Sequence, residues 1–95
     1  MVITFNVLAE NRKVWIINYT SRNVVGLYAS NVSEEDWQEN ILSGYVLEPN
    51  HKVRVNIDDG TRHCEYDIKA VLEDGDMAIE ENVNVCKIET WRVLE

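Results

Sequence analysis

Two short acidic glycine turns, Asp58-Asp59-Gly60-Thr61 and Glu73-Asp74-Gly75-Asp76, divide the second half of the chain into runs of alternating apolar and polar residues. Alternation at period two places successive side chains on opposite faces of an extended strand, and Asp-Gly favours the tight turns of hairpins. The pattern therefore predicts an all-β, mainly antiparallel fold. It supplies no chemistry of its own.

The remaining segments fit that expectation. Val2 to Leu8 reads as a first strand, followed by a polar break over Ala9-Glu10-Asn11-Arg12. Lys13 to Tyr19 is a second strand whose run Val14-Trp15-Ile16-Ile17 is too apolar for simple alternation, as in a strand covered on both sides. Thr20-Ser21-Arg22-Asn23 has turn chemistry, and Val24 to Ala29 follows as a third strand. Lys52 to Ile57 alternates cleanly, with Val53, Val55 and Ile57 inward. Cys64, Tyr66, Ile68, Ala70 and Leu72 then share one face, and Met77 and Ile79 continue after the second turn. Val83 to Leu94 reads as a final strand. There Cys86 and Ile88 have one parity and Trp91 and Val93 the other, which a bulge would reconcile.

Between these strands the period changes once. Ser33 has N-cap chemistry, Glu34, Glu35 and Asp36 suit the positive end of a helix dipole, and Trp37 and Ile41 are four residues apart. A helix over Ser33 to Leu42 is expected, ending at Gly44, with Trp37 pinning it to the sheet. The functional alternative makes Trp37 an exposed contact residue. Together these elements predict one domain over residues 1–95, a small β-sandwich or open barrel of about seven strands with one short helix.

Composition narrows the classes of function. Ninety-five residues hold one small core, and a balance of 9 basic against 17 acidic residues gives a net charge of −8. Such a charge disfavours nucleic acid and anionic membrane surfaces and suits either plain solubility or a basic protein partner. The N-terminus has neither a positive leader region nor a sustained apolar segment. A cytoplasmic protein is expected, or alternatively a periplasmic or secreted mature form. The two cysteines, Cys64 and Cys86, fit one disulfide in an oxidising compartment or two buried thiols in the cytosol.

The order and spacing of several blocks resemble a known family. These are Ile17-Asn18-Tyr19-Thr20, Leu27-Tyr28-Ala29-Ser30, Asp36-Trp37-Gln38-Glu39-Asn40-Ile41-Leu42 and Val46-Leu47-Glu48-Pro49. Further along come Cys64-Glu65-Tyr66-Asp67-Ile68-Lys69-Ala70, Glu73-Asp74-Gly75 and Val83-Asn84-Val85-Cys86. From Val14 to Val93 the chain resembles a group of small uncharacterised bacterial β-domains, usually preceded by a secretion signal, some of which carry the misleading label "argininosuccinate lyase". Gln38 and Asn50 stand where that family often has Gly, and Val2 to Leu8 occupies the place of its signal. The resemblance implies the β fold and the pairing of Cys64 with Cys86. It implies no activity.

Constellations that carry chemistry are sparse. His63 and Cys64 are adjacent in a predicted strand, so their side chains leave opposite faces and do not form a nucleophile–base pair. His51, His63, Cys64 and Cys86 lack the close spacing of zinc ligands. The two acidic turns offer carboxylates to calcium but lack the regular ligand positions of a calcium loop. Carboxylate pairs for hydrolysis need a deep cleft, which one small core rarely forms. Trp15, Trp37 and Trp91 have few basic neighbours, against base stacking on nucleic acid. No catalytic residue, metal ligand or cofactor is expected. The leading expectation is a non-enzymatic binding or protein-interaction module, with Glu34, Glu35, Asp36 and Trp37 as its contact surface. The alternatives are a small acidic inhibitor or immunity-type protein covering a basic site, and a small carboxylate-dependent hydrolase.

Overall fold

A computed structural model describes residues 12–32, 37–58, 60 and 62–95. The expected first strand, Val2 to Leu8, lies outside the described residues. Among the described residues there are six strands: β1 (Lys13–Asn18), β2 (Val24–Asn31), β3 (Lys52–Asn56), β4 (Glu65–Leu72), β5 (Met77–Asn84) and β6 (Thr90–Val93). They form two three-stranded sheets, β3-β1-β6 and β2-β4-β5, and neither closes into a barrel. All pairings are antiparallel except β1 with β6, which is parallel.

The alternation read from sequence sets which side chains are buried. Val14 and Ile16 of β1, Leu27 of β2, Tyr66, Ile68 and Ala70 of β4, and Trp91 and Val93 of β6 all belong to one buried apolar cluster. Burying side chains of this size supplies the main driving force for a chain this short. Trp91 is only 5% exposed, and its indole N–H donates to Glu80 Oε1 at 3.0 Å, tying β6 to β5 of the other sheet. The run Trp15-Ile16-Ile17 is apolar on both faces because β1 is the centre of its sheet. Its solvent face is covered by the long cationic side chains of the neighbouring strands.

One polar knot holds the end of the first sheet. Asn18 is fully buried, donating its amide to the carbonyls of Arg22 at 2.7 Å and Leu47 at 2.9 Å. Its Oδ1 accepts from the backbone N–H of Thr20 at 2.9 Å and lies 2.7 Å from the Thr20 hydroxyl. Asn18 thus locks the turn after β1 to the segment carrying Leu47. That segment forms a reciprocal backbone bridge with Val24 at the start of β2.

Three expectations are corrected. The turn at Asp58 to Gly60 does not make a hairpin, because β3 and β4 belong to different sheets and the chain between them crosses over. Asp58 instead caps the Gly60 N–H within the crossover, at 2.9 Å. The second turn is the hairpin expected: Gly75 donates to the Leu72 carbonyl with φ at 92°, a conformation a side chain resists. The final strand is broken rather than bulged. The chain leaves β5 at Asn84, turns over 85–87, and enters β6 in the other sheet, which is why the buried parity changes.

The third correction concerns the helix. Of its expected span, residues 33–36 lie outside the described residues, and from Trp37 to Leu42 no helix forms. Asn40 gives the physical reason. Its side-chain oxygen accepts from Leu27 N at 2.9 Å and Leu42 N at 3.1 Å, while Ile41 N donates to the Leu27 carbonyl at 2.8 Å. The segment spends the Ile41 N–H and part of the Asn40 side chain on the edge of β2 instead of on helical bonds, a competition that Asn side chains often win. The left-handed Gly44 is present at φ 90°, ending a turn over 41–44.

Candidate functional site

The solvent face of the second sheet carries one group of aromatic and apolar side chains, with Met77 and Ile79 among the exposed ones. Register places Tyr28 of β2 opposite Lys69 of β4, and Lys69 opposite Ile79 of β5; Val71 faces Gly26 on one side and Met77 on the other. Gly26 permits the arrangement, since a Cβ there would lie 3.0 Å from the Tyr28 ring and 3.4 Å from Val71 Cβ. Met77 is 59% exposed and Ile79 54%. Although they continue the alternation of β4, they point to solvent.

Trp37 crosses this face. It is 37% exposed, not pinned in the core as its expected helix required. The Lys69 ammonium lies 4.6 Å from the Trp37 ring centroid and 4.8 Å from that of Tyr28. A cation held between two rings is fixed by their quadrupoles, so Lys69 is a rigid part of the surface rather than a free tether. Of the expected contact group, Glu34, Glu35 and Asp36 lie outside the described residues, and Trp37 is on the sheet face with Lys69.

β5 forms an edge of this sheet. Among the described residues no strand pairs with its outer side. Open edges are commonly guarded by charges and bulges. Here Glu80, Glu81 and a left-handed Asn82, whose N–H donates to Asp67 Oδ1 at 3.0 Å, guard the second half. Among the described residues the first half, Met77 to Ile79, has no such guard. The other edge, β2, is covered by Asn40, Ile41 and Leu47.

The cysteines are joined. Cys64 and Cys86 form a disulfide with a Cα–Cα distance of 5.3 Å, at the open end of the β4–β5 hairpin, where Val85 N also donates to the Cys64 carbonyl at 2.8 Å. The adjacent His63 is exposed, and its carbonyl accepts from Arg12 Nε at 2.8 Å. In the acidic hairpin turn the carboxylates are engaged by an internal cation. Arg22 pairs with Asp74, with Asp76 at 2.7 Å and with Glu95 at 3.4 Å. The hydrogen bond from Arg22 holds the Asp74 carboxyl below the ordinary carboxylate range. Among the described residues, no three His, Cys, Asp or Glu side chains converge as a metal site would require.

Strand by strand, the charges are segregated. β1, β3 and β6 carry Lys13, Lys52, Arg54 and Arg92 and no carboxylate. β2, β4 and β5 carry Glu65, Asp67, Glu80 and Glu81 against a single cation, Lys69. The expectation that the tryptophans have few basic neighbours is corrected for Trp15 and Trp37. The Lys52 ammonium lies 4.6 Å and the Arg54 guanidinium 5.9 Å from the centroid of Trp15, and Lys69 sits on Trp37. The signal was legible only as a count of charges per strand, because the cations reach Trp15 from a strand distant in sequence.

Comparison with protein-family models, with curated proteins and with solved structures finds no match for this chain.

Proposed function

We propose that the protein is a non-enzymatic protein-interaction module, a small β-sandwich of the kind its resemblance to the bacterial β-domains implies. Its partner is an extended, basic segment of another protein that adds to the open edge of β5. The observation that carries this reading is the unguarded stretch Met77 to Ile79 on an 8-residue edge strand, next to the fixed Trp37–Lys69–Tyr28 group. Main-chain pairing along an edge gives affinity, and alternate side chains give selectivity. Met77 and Ile79 offer apolar contacts on the solvent face. Glu80 and Glu81, with Glu65 and Asp67 on the neighbouring strand, favour lysine and arginine in the added segment. The Cys64–Cys86 disulfide supports a periplasmic or secreted setting for the encounter.

An array of peptides of the strand's own length tests this. Peptides alternating apolar residues with lysine or arginine should be retained, and retention should fall with salt. Ile79→Lys should abolish it, while Glu81→Lys should shift the preference away from basic peptides. An array without selectivity, or one whose selectivity survives Ile79→Lys, would overturn the reading.

A further inference from the structure

The first sheet presents a surface of the opposite character. On its solvent face Lys52 of β3 is opposite Ile17 of β1, and Ile17 is opposite Arg92 of β6; in the next row Arg54, Trp15 and Thr90 are aligned. Two strand spacings separate the backbones of Lys52 and Arg92, roughly 9–10 Å, and Lys52 and Arg54 stand about 7 Å apart along one strand. Beside Trp15 the surface dips into a notch of about 410 Å³ lined by Lys13, Arg54, Lys87, Ile88 and Glu89. Cys86 belongs to the same wall, so the disulfide anchors the turn that shapes the notch.

These cations are positioned in advance. Lys52 and Arg54 both lie over the Trp15 ring, which limits the conformations their long side chains sample. Among the described residues, Lys52, Arg54, Lys87 and Arg92 form no ion pair. Among the described residues the only carboxylate lining the notch is Glu89. Of the other sheet's carboxylates, Glu65 and Asp67 alternate with the buried Tyr66 and Ile68 and so leave the face turned away from the core, while Glu80 reaches β6 and accepts from the Trp91 indole at 3.0 Å.

We propose that this face binds a linear acidic polysaccharide, a chain of sugars bearing carboxylate or sulfate groups. Lys52, Arg54 and Arg92 take the anionic groups, whose spacing along an extended sugar chain resembles that between neighbouring cations. The notch takes one sugar ring against Ile88 and the edge of Trp15. Single-stranded nucleic acid is the poorer fit, since the Trp15 ring face that a base would stack on is already covered by Lys52. The disulfide also favours an oxidising setting, where extracellular polysaccharide is the commoner polyanion.

The test is calorimetric titration of the full chain with polygalacturonate, dextran sulfate, neutral dextran and oligothymidylate. At least one acidic polysaccharide should bind, neutral dextran should not, and oligothymidylate should bind more weakly. Removing one exposed cation should weaken binding about threefold and the pair Lys52→Gln/Arg54→Gln roughly tenfold. Arg92→Gln supplies an independent variant on another strand, and Lys69→Gln on the second sheet should change affinity less than twofold. Failure of both acidic polysaccharides to bind, equal binding of neutral dextran, tighter binding of oligothymidylate, or undiminished affinity in folded Lys52→Gln/Arg54→Gln or Arg92→Gln would each overturn the proposal.

Discussion

Replacing Asn18 tests whether the polar knot at the end of β1 is a structural necessity. Asn18→Ala removes two amide donors to the carbonyls of Arg22 and Leu47, and an acceptor for the Thr20 N–H and hydroxyl. Each hydrogen bond contributes about 1 kcal/mol net, and a buried partner left unsatisfied costs more. Since the site is fully buried, the loss sums to about 3–4 kcal/mol. For a 95-residue domain, whose whole stability is about 5–14 kcal/mol, that is a large fraction. It corresponds to a fall in Tm of roughly 15–20 °C. Equilibrium urea unfolding should show a lower midpoint with an unchanged slope. Asn18→Asp sharpens the test. It keeps the acceptor toward Thr20 but turns a carboxylate toward two carbonyl oxygens in a dry site, which raises the folded-state pKa above the unfolded value of about 3.9. The variant should therefore be least impaired below about pH 4 and lose stability as pH rises through its folded pKa. A loss under about 1 kcal/mol for Asn18→Ala, or a pH-independent Asn18→Asp, would show that water replaces these bonds at little cost and would refute the reasoning.

Reducing the Cys64–Cys86 disulfide, whose cysteines are 22 residues apart, should cost about 3 kcal/mol through the freedom returned to the unfolded chain, read as the difference in urea midpoint with and without reductant. The depressed Asp74 carboxyl predicts a second pH effect, of opposite sign to that of Asn18→Asp. Its contribution is fully present above the ordinary value of 3.8 and is lost as pH falls through the lower folded pKa, so Asp74→Asn should flatten the acid end of the stability profile measured by thermal melting.

In β3 and β4 the direction in which the residues face was legible from the sequence, whereas Met77 and Ile79 of β5 turned out to face solvent. Val53, Val55 and Ile57 turn toward the core and Lys52, Arg54 and Asn56 away from it, and Tyr66, Ile68, Ala70 and Leu72 are buried together, because a strand's side-chain period is fixed by its backbone. Trp91 is buried as well, but through the passage of the chain into the other sheet and not through the expected bulge. Periodicity does not name a strand's neighbour. Nothing local to Asp58 to Gly60 distinguishes a hairpin turn from a crossover, and nothing local to Thr90 to Val93 announces parallel pairing with β1. The helical spacing of Trp37 and Ile41 was outweighed by a partner far away in sequence, the open backbone of Leu27, which Asn40 and Ile41 satisfy. The candidate surfaces were the least legible. Sequence by itself determined an acidic β-chain with its strands and faces. Only the tertiary structure brought β1, β3 and β6, with four cations and no carboxylate, into one sheet and the acidic β4 and β5 into the other, because hydrogen-bond pairing between distant segments decides which charges become neighbours.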